Sequence, residues 1–262
     1  MEGELSATEL ILDLLAAHDE HRLSVAALCR AALIFGIREQ NVRVALSRLG
    51  QQGKVTSTDR GCYALNPDSS SLLRDVENWL RREQQAADWN GRWLGVADGA
   101  VPRRHKVAWR RHQRALLLRG FRPLSAGVHL RPDNLVGGAA AVRGDLQGLG
   151  LAAPALVMAV SGLSRQDEQR ARALWDCRAL ESDYRQLIRR LDRAHARLAN
   201  LPVEAAARES LLLGRQAIRV ILHDPLLPEE LMGGGQRHRL IERMREYQVA
   251  ARVIWLALLE QA

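Results

Sequence analysis

The sequence predicts an α+β chain that is mainly helical. Apolar residues recur at helical spacing from Leu10 to Leu258. Short strand-like runs gather in two places, near residues 55–65 and 93–160. Of the 262 residues, 47% are hydrophobic and 26% charged, the balance of a globular chain long enough for two or three cores.

From Ala7 to Ala17, Leu10, Ile11, Leu14 and Leu15 fall on one stripe and predict a first helix. Ser24 is placed to cap a second, Val25 to Ile34. Gly36 to Leu49 then splits into two faces. Val42, Ala45, Leu46 and Leu49 repeat at core-facing spacing, which turns Arg38, Gln40, Asn41, Arg43, Ser47 and Arg48 outward. Guanidinium, amide and hydroxyl groups hydrogen-bond to base edges and phosphates, so this is the pattern of a DNA-reading helix. Gly53 to Leu65 reads as two short strands around an Asp59-Arg60-Gly61 turn, with Lys54 and Arg60 positioned to hold a DNA backbone. Three helices and a hairpin predict a winged helix-turn-helix over residues 1–66. A solvated charged face in an ordinary helical domain is the alternative reading.

Asn66-Pro67-Asp68-Ser69-Ser70-Ser71 is a turn-rich linker, and residues 67–87 suit a connecting helix from Leu72 to Ala87. Residues 88–163 give a strand (Arg92 to Ala97), a basic helix (103–119), two strands (Gly120 to Leu124 and Gly127 to Pro132) whose prolines suit an edge, a loop or short helix, and a strand (Ala155 to Val160). That order is the one of a ferredoxin-like sandwich. Residues 164–262 are helical. Leu180, Tyr184, Leu187, Ile188, Leu191 and Leu198 share one face, Glu204 to Leu222 forms a further helix, and Leu240, Met244, Tyr247, Ala251, Ile254 and Leu258 share another face. Faces this long either pair with a second copy, giving a homodimer, or pack against one another within one subunit.

Net charge is +8, unevenly spread: −1 over residues 1–66, +7 over 67–166 and +2 over the rest. The reading segment is therefore basic only locally, with five basic and two acidic groups from Gly36 to Arg60. Lys54 and Lys106 are the only lysines among 38 basic residues. Arginine suits phosphate and carboxylate forks, and a GC-rich genome gives the same bias by codon usage. Cys29, Cys62 and Cys177 have neither disulfide nor zinc spacing and read as free thiols. No apolar run reaches the ~20 residues of a bilayer span, and Glu2 and Glu4 stand where a signal peptide is basic, so a cytoplasmic protein is expected.

Catalytic signals are thin. Asp98 is an acid at a strand end that a metal-dependent nuclease could use, and otherwise a turn residue before Gly99. His18 and His21 are one turn apart and could share a metal, yet suit a surface loop. We expect no enzyme, no metal and no cofactor. The nuclease, using its N-terminal domain for substrate capture, is the alternative.

Four stretches carry a family resemblance: Ile37 to Leu49, Trp89-Asn90-Gly91-Arg92-Trp93, Gly120-Phe121-Arg122-Pro123-Leu124-Ser125-Ala126-Gly127-Val128, and Asp224-Pro225-Leu226-Leu227-Pro228-Glu229-Glu230-Leu231. In this order they resemble the PaaX family of bacterial phenylacetate-degradation repressors. The resemblance implies a homodimeric transcriptional repressor with an N-terminal winged helix, a middle domain similar to a CRISPR-associated ribonuclease and a helical C-terminal domain. It also implies a palindromic operator in an aromatic or acyl-acid catabolic operon, released by an aryl-coenzyme A thioester, typically phenylacetyl-coenzyme A. The chain departs from the family at Met232-Gly233-Gly234-Gly235, where a proline and a tryptophan-containing turn are usual.

A thioester of this kind needs arginines bordering an apolar slot. Arg103, Arg104, Lys106, Arg110, Arg111 and Arg114 cluster near Trp89, Trp93 and Trp109 in the middle domain. Arg215, Arg219 and His223 are a second set. For the first set, a solvated basic helix or a DNA-backbone contact are rival readings.

Overall fold

The computed structural model describes residues 5–259 apart from Asp19, Arg60 and Ser70, and the backbone alone at Pro67, Ser71, Leu72 and Glu77. It is a mixed α and β structure dominated by helices, with two small antiparallel sheets. The chain divides into two compact units. One comprises residues 1–78, 188–218 and 242–262; the other comprises 79–187 and 219–241.

In the first unit, α1 (Ala7–Ala17) starts in a capping box, where Ser6 and Glu9 satisfy each other's backbone N–H groups. Its apolar stripe Leu10, Ile11, Leu14 and Leu15 is buried. Strand β1 (Arg22–Ser24) leads directly into α2 (Val25–Ile34), whose first turn is capped by Ser24 Oγ accepting from Ala27 N at 3.1 Å. Gly36, at φ +70°, turns the chain out of α2, and α3 (Glu39–Gln51) begins three residues later. Strands β2 (Val55–Asp59) and β3 (Cys62–Leu65) form a hairpin with an irregularity between Ser57 and Asp59. The three-stranded sheet has the order β1-β3-β2. Strand β1 is an addition to the predicted elements, since three residues with one apolar side chain carry no periodic signal.

Helices complete this unit's core. Leu211, Trp255 and Leu259 pack against the α1–α3 cluster. After the short helix α4 (Ser71–Glu77), the predicted continuation to Ala87 does not occur. A tighter 3₁₀ segment runs from Trp79 to Gln85 and belongs to the second unit.

In the second unit, β4 (Trp93–Ala97), α5 (Lys106–Leu118), β5 (Arg122–Ser125), β6 (Val128–Pro132), α6 (Gly138–Leu149) and β7 (Leu156–Val160) follow one another. They build a four-stranded, wholly antiparallel sheet of order β5-β6-β4-β7. Pro123 lies on edge strand β5, as its missing N–H requires. Pro132 instead closes the central strand β6. Leu94, Val96 and Val157 from the sheet pack with Ala115, Leu116, Val142 and Leu146 from the two helices. The full-length α6 replaces a predicted loop or short helix. Gly144 and Gly148 dilute its pattern, but Val142 and Leu146 still mark its buried face.

Helix α7 (Arg165–Arg172) is followed by three long helices, α8 (Cys177–Leu198), α9 (Val203–His223) and α10 (Gly235–Leu259), each with residues in both units. Within the first unit their apolar faces meet one another. Tyr247 is fully buried, with its ring 6.4 Å from His195, Trp255 Nε1 donates to Ser210 Oγ, and Arg197 forks onto Glu209. The sequence left these faces open to a second subunit or to one another; in the structure most of their residues are buried within the chain, with Leu180, Ala251 and Ile254 half-buried. Val249 and Val253 of α10 stay exposed.

Gly120, at φ +75°, is a position where only glycine fits: a Cβ there would lie 2.9 Å from Pro225 Cα and O. Gly120→Ala combines left-handed strain with overpacking and should cost about 2–4 kcal/mol. Urea unfolding of the variant checks this, since an unchanged midpoint would mean the two segments can part without loss.

Candidate nucleic-acid interface

On α3 the division between faces is complete. Val42 and Leu49 are 0% exposed and Leu46 and Ala45 nearly so, whereas Arg38, Gln40, Asn41, Arg43, Ser47 and Arg48 all face solvent. Full burial of each leucine or valine contributes ~1.5–3 kcal/mol, far beyond what a screened surface ion pair can, so the core side fixes the helix's rotation. Two further residues on the outward face carried a signal that the sequence reading left unused. Glu39 sits four residues before Arg43 and binds it, accepting from Nε at 2.8 Å and Nη2 at 2.6 Å. Val44 is 62% exposed amid polar neighbours.

On the hairpin, Lys54 precedes β2 at the base, its N–H bonded to Leu49 O and its carbonyl accepting from Asn66 N. Arg60 lies outside the described residues. Thr56, Ser57 and Thr58 are exposed along β2, and Arg22 pairs with Asp59 at 3.0 Å.

Asp98 is the turn residue expected before Gly99, and its burial tells against the alternative of a metal-holding acid. Its carbonyl accepts from Val101 N, and its side chain is 1% exposed. Oδ2 accepts from Gln113 Nε2 at 3.3 Å and from His112 Nε2 at 3.1 Å, and His129 Nδ1 stands 3.6 Å away. Because Ala152 N donates to His112 Nδ1, the His112 proton sits on Nε2. Burial holds the pKa of His129 down. A carboxylate enclosed by this cluster cannot reach a phosphodiester, which tells against the nuclease. His18 and His21 are likewise committed to main chain: His18 Nδ1 accepts from Glu20 N, and His21 Nδ1 donates to Leu15 O. Among the described residues no group of three His, Cys, Asp or Glu side chains is placed to hold a metal ion, and no helix is long and apolar enough to cross a membrane.

The thioester candidates scatter. Trp93 is 1% exposed; its ring stacks on Trp175 with centroids 6.2 Å apart, and its N–H goes to Glu168 Oε2 at 2.8 Å. Trp89 lies edge-on to it, with the Arg172 guanidinium over its outer face. Trp109 is half-buried, stacked on His112 and covered by Arg103. Arg215, in the first unit, is tied to Asp13 and Glu9. Arg219 and His223, in the second, are joined by His223 Nδ1 donating to Arg219 O, with burial lowering the His223 pKa.

Sequence reasoning missed a buried arginine network in the second unit. The Arg131 guanidinium, fully enclosed, donates to the carbonyls of Arg119, Pro132 and Pro225 and to Asn134 Oδ1. Arg82 reaches the carbonyls of Leu118 and Asp224, and Arg119 forks onto Asp145. Burial, then the charges of Arg82 and Arg119, bring the Arg131 pKa down to about 9, leaving it protonated at neutral pH. Asp224 accepts from Tyr184 Oη at 2.7 Å and Leu226 N at 2.6 Å, and Asn134 Nδ2 holds Leu226 O with that residue at φ +51°. Buried arginine is rare enough that a sequence gives no reason to expect three.

Residues 6–68 match the model described as PaaX-like protein, and residues 175–256 match the PaaX-like protein C-terminal domain. The chain is 29% identical over 245 residues to a protein named Transcriptional repressor PaaX from Escherichia coli (strain K12), covering 87% of this chain and 74% of that one. Among solved structures, Uncharacterized protein Rv0674 from Mycobacterium tuberculosis shares the fold, with a TM-score of 0.57 at 21% identity over 95% of this chain and 99% of that chain. The class is thus a multi-element α and β protein that exposes a polar helix face. The chain belongs to the PaaX family.

Asp98→Ala should leave the His112 and Gln113 donors unpaired and cost about 2–4 kcal/mol. Thermal unfolding should show that loss; a variant as stable as the parent, but altered in a metal-dependent cleavage assay, would return Asp98 to the role of a metal-holding acid.

Proposed function

We propose that this protein is a ligand-responsive transcriptional repressor that binds operator DNA as a homodimer. The exposed polar face of α3 carries the reading. With α1, α2 and the β2–β3 hairpin, α3 makes a winged helix-turn-helix in which Arg38, Gln40, Asn41, Arg43, Ser47 and Arg48 enter the major groove. Lys54 and Arg60 hold backbone through the wing. The α-helices and antiparallel sheet of residues 93–160 form a ferredoxin-like middle domain, and residues 164–262 supply a helical C-terminal domain. Support for the repressor role comes from the named function of the E. coli relative.

Arg43 has two partners in this scheme. Glu39 holds it in the free protein, and a guanine O6 and N7 edge is the partner that a bidentate guanidinium fits on DNA. Glu39 then keeps the arginine extended before contact and disfavours non-specific phosphate nearby.

The effector is an aryl-coenzyme A thioester. It needs only to bind the DNA-free arrangement more tightly: a tenfold preference equals ~1.4 kcal/mol and shifts operator occupancy accordingly. Because two half-sites lie about one helical turn, ~34 Å, apart, a small change in reader separation breaks simultaneous fit. The action is binding and release, with no chemical step.

Gel shift with the protein's own upstream DNA, at fixed salt, tests this with and without a panel of coenzyme A thioesters. Release by an aryl thioester is expected; tight binding unmoved by every thioester would overturn the effector and leave the DNA function standing. Arg43→Ala should lower operator affinity about 10- to 100-fold with an unchanged circular dichroism spectrum. Operator affinity that survives the substitution would mean another surface reads the site.

A further inference from the structure

The basic side chains of the second unit fall into two populations. Between Gly99 and Pro132 there are nine arginines and lysines and no acid. Arg119 and Arg131 are buried and spent on carbonyls and on Asp145, and Arg122 is half-buried. The other six, Arg103, Arg104, Lys106, Arg110, Arg111 and Arg114, face solvent on α5 and the turn before it. Among the described residues no carboxylate pairs with any of them. By contrast, Arg43, Arg172 and Arg185 each have an acid one turn earlier, at 2.6 to 3.3 Å. The α5 cations also crowd the half of the helix where the backbone dipole is positive, and no side chain caps that end. Arg103 covers Trp109 and Arg111 donates to Leu149 O, but Lys106, Arg110 and Arg114 have no hydrogen-bonding or ion-pair partner among the described residues.

We propose that the outward face of α5 is a second DNA-contacting surface, one that grips the phosphate backbone of duplex DNA without reading sequence. This rests on the operator-binding reading above. Lys106, Arg110 and Arg114 stand four residues apart, so their Cα atoms are ~6 Å apart in a row. A duplex strand presents one charge per ~3.4 Å of axis, so that ~12 Å row runs beside about three or four phosphates of one strand. Coenzyme A, the other phosphate carrier in play, requires an apolar slot beside its phosphates. The tryptophans that would line one are buried in their own stack or covered by Arg103. A row of exposed cations without carboxylate partners among the described residues suits a long polyanion instead.

The test is the salt dependence of binding for the full-length protein carrying Lys106→Gln, Arg110→Gln and Arg114→Gln together. Among the described residues none of these side chains makes a hydrogen bond or an ion pair, although burial and, to a lesser degree, the Arg114 charge hold the His223 pKa down, and circular dichroism should confirm the fold. Against both operator and unrelated duplex, affinity near 0.15 M salt should fall about 10- to 100-fold. The slope of log K against log salt should flatten by up to ~2.7, about 0.9 per lost phosphate contact. Preference for operator over unrelated DNA should persist, whereas in Arg43→Ala it is lost. An unchanged slope in the triple variant, while Arg43→Ala loses preference, overturns this inference alone. Failure of the parent protein to bind duplex DNA overturns it together with the repressor reading. Intact DNA affinity with a lost thioester response in the triple variant also overturns it, by giving these cations to the effector.

Discussion

Burial of Val42, Ala45, Leu46 and Leu49 on one stripe of α3 is the constraint from which the functional account descends. Once those four side chains are fixed in the core, the helix cannot rotate, and every residue between them is forced outward. The polar face is therefore pre-organised by apolar packing rather than by its own contacts. α1 and α2 supply the other side of that packing, and the sheet β1-β3-β2 closes it. Glu39 refines the arrangement by holding Arg43 along the helix.

The second unit solves a different problem with different chemistry. Three of the four stretches that resemble the PaaX family meet there. Trp89 sits edge-on to Trp93, Trp93 stacks on Trp175, Trp175 Nε1 donates to Gly120 O, and Gly120 lies against Pro225, whose carbonyl accepts from Arg131. These stretches therefore hold a loop and a sheet together instead of lining a pocket. Buried guanidinium groups suit that task, since one planar fork can satisfy several main-chain carbonyls that would otherwise be orphaned. Their partners, Asn134, Asp145, Asp224 and Tyr184, are dispersed along the chain, which makes the network costly to break piecemeal.

How much of this the sequence disclosed depends on whether the cause is periodic or tertiary. α1, α2 and α3 were legible because apolar spacing and the Ser24 cap are local, and the outward set on α3 followed from the same spacing. Strand β1 was hidden because its three residues are recruited by β3 and not by their own pattern. α6 was obscured by two glycines, and the connecting helix broke into a 3₁₀ segment where Trp79 and Arg82 turn inward. Asp98 illustrates the deeper limit. Its position beside Gly99 reads as a solvated turn, yet its environment is set by His112 and His129, fourteen and thirty-one residues away. The same holds for Arg131, which composition alone assigns to the surface.

The account's central claim is that α3 reads base edges in the major groove. Methylation interference on the protein's own upstream DNA tests it most directly, because the guanine N7 lies in the major groove alone. The expected result is that N7 methylation at discrete guanines blocks binding, in two clusters separated by about one helical turn. Binding indifferent to N7 methylation, with interference confined to minor-groove adenine N3 or to phosphates, would contradict it.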